Sequence, residues 1–243
     1  MQFSVSAENQ RRKRMFSASV YFGVLISLLY YEAGTLIRKK LKHPVFNPLL
    51  IAIILVIVTL LVFRIPYSVY YSGAKYLSYL LTPATIALAV PLYEKVELLK
   101  KDWKAIFAGI TAGVLTSLTC ILVFALLFDF SNAEYVTLLP KSITTAIGID
   151  LSSELGGYPS LTAAIIIVTG VFGNIFAEVI CKIFRIKDPV SKGIAIGTST
   201  HAVGTAKAME MGETEGAMSS LAIAISGLLT VVGASLFASF IGA

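Results

Sequence analysis

The chain is written as eight apolar runs, at 15–37, 47–63, 72–93, 104–128, 134–154, 160–184, 189–210 and 214–242, with only short polar stretches between them. A bilayer core is about 30 Å thick and takes about 20 helical residues to cross. The runs at 104–128, 160–184 and 214–242 are long enough to span with some tilt, and the run at 47–63 is short but almost purely aliphatic. Hydrocarbon offers no partner to a backbone N–H or C=O, so runs of this length are satisfied as helices. The expectation is an all-α polytopic membrane protein with about seven to eight membrane segments, several of them discontinuous. Only 14% of the 243 residues are charged, against roughly 25% in a soluble domain, so no separate soluble domain is expected. A single transmembrane domain is assigned to 16–243, preceded by a basic arm at 1–15 carrying Arg11, Arg12, Lys13 and Arg14. That arm and the following apolar stretch outline a signal peptide. The stretch is too long for a cleaved core and lacks a small-residue cleavage site, so a retained first helix is expected.

Three runs carry proline, glycine and polar residues at their centres: Leu81-Thr82-Pro83-Ala84-Thr85, Leu139-Pro140-Lys141-Ser142, and Gly197-Thr198-Ser199-Thr200-His201. Irregular backbone at membrane depth survives only where it is buried in protein or lines a wet cavity. Interrupted segments are also the best sequence pointer to a transporter's binding site. The strings around Pro83 and Pro140 resemble each other loosely, which is compatible with inverted halves and does not establish them.

The formal net charge of +6 comes from clusters at Arg38–Lys42, Lys95–Lys104 and Lys182–Lys192, set between apolar runs as cytoplasmic loops are. This distribution argues against nucleic acid as a partner. All three clusters share one face if the first helix runs inward and 134–154 re-enters from outside, which leaves Arg11–Arg14 external. Cys120 and Cys181 lie within or at the end of apolar runs and read as packed thiols.

Lys141 stands in an otherwise apolar segment, directly after Pro140 and before Ser142, Thr144 and Thr145. A cation at membrane depth costs a few kcal/mol or more, about 2.5–3.5 on insertion scales, so it faces a cavity or a partner. It is either a countercharge for a carboxylate solute or a lysine snorkelling from a shallow segment. Asp150 and Glu154 share a helical face; Glu154, beside Gly156 and Gly157, reads as a water-boundary residue, while Asp150 could hold a proton or sodium ion. The stretch Gly197–Lys207 combines Thr198, Ser199, Thr200 and Thr205 with His201 and Lys207. Helix packing explains its small residues but not the hydroxyls, histidine and lysine together, which favour a solute pathway. His201 could couple transport to protons or serve as a hydrogen-bonded structural residue. With only His43 and His201, and no metal, Walker or nucleophile-elbow motif, neither enzyme activity nor a metal or other cofactor is expected.

These motifs, in order, resemble the LrgB/CidB family of bacterial inner-membrane proteins from about Pro44 to the C-terminus. The resemblance rests on Pro83-Ala84-Thr85 with Ala89-Val90-Pro91-Leu92-Tyr93, Leu139–Ala146, Glu154-Leu155-Gly156-Gly157, and Lys192-Gly193 with Gly197–Ala208. The Lys-Ser-Ile-Thr and Gly-Thr-Ala-Lys-Ala strings look CidB-like. Thr200 stands where serine is more usual, and the Arg11–Arg14 arm matches nothing in the pattern. The resemblance implies one of two roles in the bacterial cytoplasmic membrane, and the residues read above favour the first. One is carriage of small monocarboxylates, pyruvate in bacteria and glycolate or glycerate in a related chloroplast protein. The other is holin- or antiholin-like regulation of murein hydrolase export and autolysis, with a small CidA/LrgA-type partner. It also implies a likeness to elevator-type carriers with inverted repeats, and a homodimer is expected. For the carrier, Thr82, Pro83, Thr85, Ser142, Thr144, Thr145, Thr198, Ser199, Thr200, His201 and Thr205 would bind a small organic acid. Lys141 would be the countercharge, and His201 and Asp150 would couple an ion.

Overall fold

The computed structural model describes residues 21–41, 46–87 and 89–241, and all regular structure among them is helical. The arm at 1–15 lies outside the described residues. The chain forms two compact units, one ending at Ile86 and the other beginning at Ala87.

The first unit holds α1 (Phe22–Leu41), α2 (Pro48–Val62), α3 (Tyr67–Ser78) and most of α4 (Leu81–Ala87). Asn47 starts α2 by accepting from the Leu49 and Leu50 N–H groups, with Pro48 in the first turn where no N–H is missed. Glycine lets α1 lie close to its neighbours. A Cβ on Gly23 would stand 2.2 Å from the Tyr70 carbonyl, and one on Gly34 would stand 2.7 Å from that of Pro48. Hydroxyl pairs tie the same helices: Ser27 with Tyr70 at 2.9 Å, Tyr30 with Thr59 at 2.7 Å. The expected interruption at Leu81–Thr85 is helical instead. The break falls just before it, at Tyr79–Leu80, and Pro83 sits in the first turn of α4, where its missing N–H costs nothing.

The second unit holds α5 (Ala89–Glu94), α6 (Val96–Leu127, bent at Asp102), α7 (Asn132–Leu138), α8 (Thr145–Glu154), α9 (Pro159–Ile183), α10 (Pro189–Met211) and α11 (Glu213–Phe237). Three stretches are long and apolar enough to cross a membrane: Lys100–Leu127, Pro159–Ile183 and Glu213–Phe240. Their outward residues, such as Leu127, Phe172 and Leu228, are among the most exposed apolar side chains, as lipid-facing positions are. Inward, Ile106, Ile110, Val114 and Leu118 repeat every four residues along α6 and pack with Tyr135, Leu139, Met218 and Leu221.

The other two apolar runs of this unit fold back on themselves. α7 and α8 are antiparallel arms around the turn 139–144: Pro140 lies against Gly148, while Gly157 holds Thr137 and Ser152 together. α10 reverses at His201, where φ is +46° and ψ −148°. Its register with α11 proves the reversal. Before His201 the pairs rise together, Gly193 against Glu215 and Gly197 against Ser219. After it they run oppositely, Thr205 bonding Ser219 at 2.7 Å and Met209 packing on Gly216. A straight helix cannot be parallel and antiparallel to one neighbour.

The two hairpins enter from opposite faces. A Lys95–Glu213 ion pair of 3.0 Å puts the starts of α6 and α11 on one face. On the other, the Asn132 amide donates to the Ile241 carbonyl, and Tyr135 Oη donates to the Phe237 carbonyl at 3.0 Å. α9 joins the two, leaving the first hairpin at Pro159 and reaching the second after Ile183. In this unit 134–154 therefore folds back on itself, and the second and third basic clusters share a face.

Candidate functional site

Both hairpin tips reach α9 inside its span. Gly148, on the first hairpin, leaves room for the Ile166 side chain, and His201 Nε2–H of the second donates to the Ile166 carbonyl at 2.8 Å. The second tip is seated deeply: Gly173 and Gly170 make way for Thr200 and His201, and the Asn174 amide donates to the Val203 carbonyl at 2.8 Å. These bonds hold a non-glycine residue at positive φ, a conformation costing about 1–3 kcal/mol that persists only where surroundings enforce it.

Between the tips and α6 lies a cavity of about 570 Å³. α6 contributes Ala105, Gly109, Gly113, Thr116, Ser117 and Cys120; the first tip contributes Lys141 and Ser142; the first arm of α10 contributes Ser191, Ile194, Ala195, Thr198 and Ser199. Leu139 and Ile143, each 1% exposed, anchor the first tip in the core on either side of Lys141. Lys141 Nζ donates to Ser142 Oγ at 2.9 Å. Among the described residues no carboxylate stands within ion-pair range of it. Opposite, Thr198 Oγ1 is buried and has no hydrogen-bond partner. Lys141 and Thr198 thus both line one cavity, the first a cation with no carboxylate beside it and the second carrying a buried, unsatisfied hydroxyl, a polar group that is costly to leave unpaired.

Of the residues expected to bind solute, the structure brings Lys141, Ser142, Thr198 and Ser199 to this cavity. Thr144 and Thr145 open α8 half-buried and do not line it. Thr200 donates to the Ile196 carbonyl at 2.6 Å and Thr205 to the His201 carbonyl at 3.1 Å, each one turn back along its own arm, and His201 is bonded to α9; none of the three lines the cavity. Asp150 is exposed on α8, away from the lining. Thr82, Pro83 and Thr85 belong to the first unit; Pro83 is exposed, and the side chains of Thr82 and Thr85 lie outside the described ones. The sequence reading missed Thr116, Ser117 and Ser191. Its overlooked signal was Gly109, Gly113 and Ser117, small residues at four-residue spacing down one face of a run read as an ordinary span.

The LrgB-like family model matches residues 27–240, beginning earlier than the motifs from Pro44 suggested. The antiholin-like protein LrgB of Bacillus mycoides (strain KBAB4) is 40% identical over 223 residues, covering 91% of this chain and 97% of that protein. The proteins of the same name from Bacillus cereus (strain B4264) and Bacillus anthracis (strain CDC 684 / NRRL 3495) match equally well. No solved structure matches the chain.

Proposed function

Because the chain belongs to the LrgB-like family, we propose that it works in the bacterial cytoplasmic membrane as an antiholin-like protein. In this role it restrains murein hydrolase export and autolysis together with a small CidA/LrgA-type membrane partner. The supporting observation is its 40% identity, over 91% of its length, to relatives bearing that name. The test is complementation. In a bacterium deleted for its own relative, expression of this chain should slow detergent-induced lysis and lower hydrolase activity in the medium. Lysis as fast as with empty vector, at equal expression, would sink the idea.

A second reading, carriage of small monocarboxylates such as pyruvate or glycolate, draws support from one observation: the cavity that Lys141, Ser142, Thr198 and Ser199 line. In it the Lys141 ammonium would meet the carboxylate, the hydroxyls of Thr198, Ser142 and Ser199 would orient it, and His201 or Asp150 would couple an ion. An elevator-type movement of a homodimer would carry the solute across. Lys141→Ala should abolish saturable uptake into liposomes while leaving expression and folding intact; unchanged uptake would remove Lys141 from the site. A pore-forming assembly would instead pass unrelated dyes and tolerate that substitution. Loss of one solute's flux with lysis timing unchanged would separate the two readings.

A further inference from the structure

A second cavity, of about 600 Å³, opens where the arms of the second hairpin leave the membrane. It shares no lining residue with the Lys141 cavity, and its chemistry is independent of the function proposed for that one. Five basic side chains line it against three acidic ones. The acids are already committed. Glu178 pairs with Lys182 at 2.9 Å and with Lys207 at 3.4 Å; Glu210 pairs with Lys207 at 3.4 Å, and Glu215 with Lys192 at 3.7 Å. The surplus is Arg185 and Lys187. Among the described residues neither has a carboxylate in ion-pair range, although both line the cavity.

The depth of the cavity is also informative. The arm Pro189–Thr200 is about 18 Å long at about 1.5 Å per residue, and its tip lies beside the middle of α9 at Gly170 and Gly173. Its base, with Lys192, therefore sits about half a bilayer away, at the headgroup level. A guanidinium fork beside an ammonium, in a walled recess at that level, matches a phosphate in shape and charge. Basic pockets between membrane helices hold anionic headgroups in this way.

We propose that this cavity binds a phosphate group, with Arg185 and Lys187 as its two unneutralised contacts, and that an acidic phospholipid headgroup or free phosphate supplies it. The ion pairs around it tie both arms of α10 to α9 and α11, so an occupied cavity braces the mouth of the hairpin.

The test uses the purified full-length protein in neutral detergent and follows its thermal unfolding. Added phosphatidylglycerol should raise the midpoint by several degrees and phosphatidylcholine should not. R185Q/K187Q should lose most of that rise, while K100Q/K101Q, an equal loss of exposed charge on α6, should keep it. Arg185 holds φ +55°, so K187Q alone serves as a variant that leaves that turn untouched; it should lose a clear part of the rise. Stabilisation by inorganic phosphate, and not by the lipid, that disappears in R185Q/K187Q supports the site with a soluble source. Equal losses in both double variants would reduce the effect to bulk surface charge and overturn the proposal. A flat response to both ligands would overturn it as well.

Discussion

Thr198 carries a buried hydroxyl that reaches no partner while its methyl packs toward Gly113, where a Cβ would stand 2.8 Å from Thr198 Cγ2. An unmade buried hydrogen bond costs about 1–3 kcal/mol. Valine keeps the shape and discards the hydroxyl, so Thr198→Val should unfold at the same temperature as the parent or a few degrees higher. If the cavity takes a carboxylate, the same variant should raise the KM for uptake about tenfold, the worth of one hydrogen bond to a charged group, about 1.5 kcal/mol. A midpoint lowered by several degrees would show that the hydroxyl is bonded in the resting protein. Residues of this kind differ in how far they can be read from sequence. Lys141 and Thr198 stand out because they break apolar runs next to proline or glycine. Thr116 does not, because its hydroxyl donates to the Ala112 carbonyl at 2.7 Å, as it would in any span. Only the facing hairpin makes it part of a site.

At the scale of elements, sequence marked where α10 breaks but not that it turns back. The reversal is decided by pairing, since each arm finds its register on α11 through glycines that admit backbone. A Cβ on Gly197 would stand 2.3 Å from the Ser219 carbonyl, whereas one on Gly227 would meet nothing within 4 Å. Gly197→Ala should therefore lower the unfolding midpoint by several degrees. Gly227→Ala should leave it unchanged or raise it, because alanine is favoured over glycine in a helix by about 1 kcal/mol. Similar midpoints for the two variants would contradict the close packing of the arms. The start of α10 adds a pH signature. Asp188 accepts from the Ser191 N–H and hydroxyl, both at 2.8 Å, and these bonds hold its carboxyl below the usual range. A depressed folded value means the cap's contribution is present above the ordinary aspartate value of 3.8 and is lost as pH falls through the folded value. Asp188→Ala should cost about 1 kcal/mol at pH 7. The gap between variant and parent should narrow as pH falls from 3.8 through the lowered folded value and close below it, where the carboxyl is protonated in either state; a gap unchanged by acid would rule out the cap.

For the second unit as a whole, the ends of α6, α9 and α11 sort onto two faces. The basic clusters implied this arrangement, and the Lys95–Glu213 pair shows it. Cysteines placed at Ser131 and Ser153 should react with a membrane-impermeant maleimide from one side, and one at Lys187 only from the other, with Cys120 and Cys181 replaced by serine. Labelling of all three from the same side would refute opposed hairpins. Run lengths alone could not foretell this plan, because a hairpin of two half-length arms and a single crossing helix have the same hydropathy. What told them apart was the contact of residues far apart in sequence, Gly197 and Thr205 both meeting Ser219 for example.

The arms of α10 are thereby a ruler. Each additional residue would advance the tip by about 1.5 Å and swing everything beyond it by about 100°, dislodging His201 from Ile166 and Thr198 from the cavity together. Loops on either face can grow without moving either residue. Length within Pro189–Thr200 is therefore as binding a constraint on this protein as the identity of any side chain in it, and a one-residue insertion there should be harsher than most substitutions.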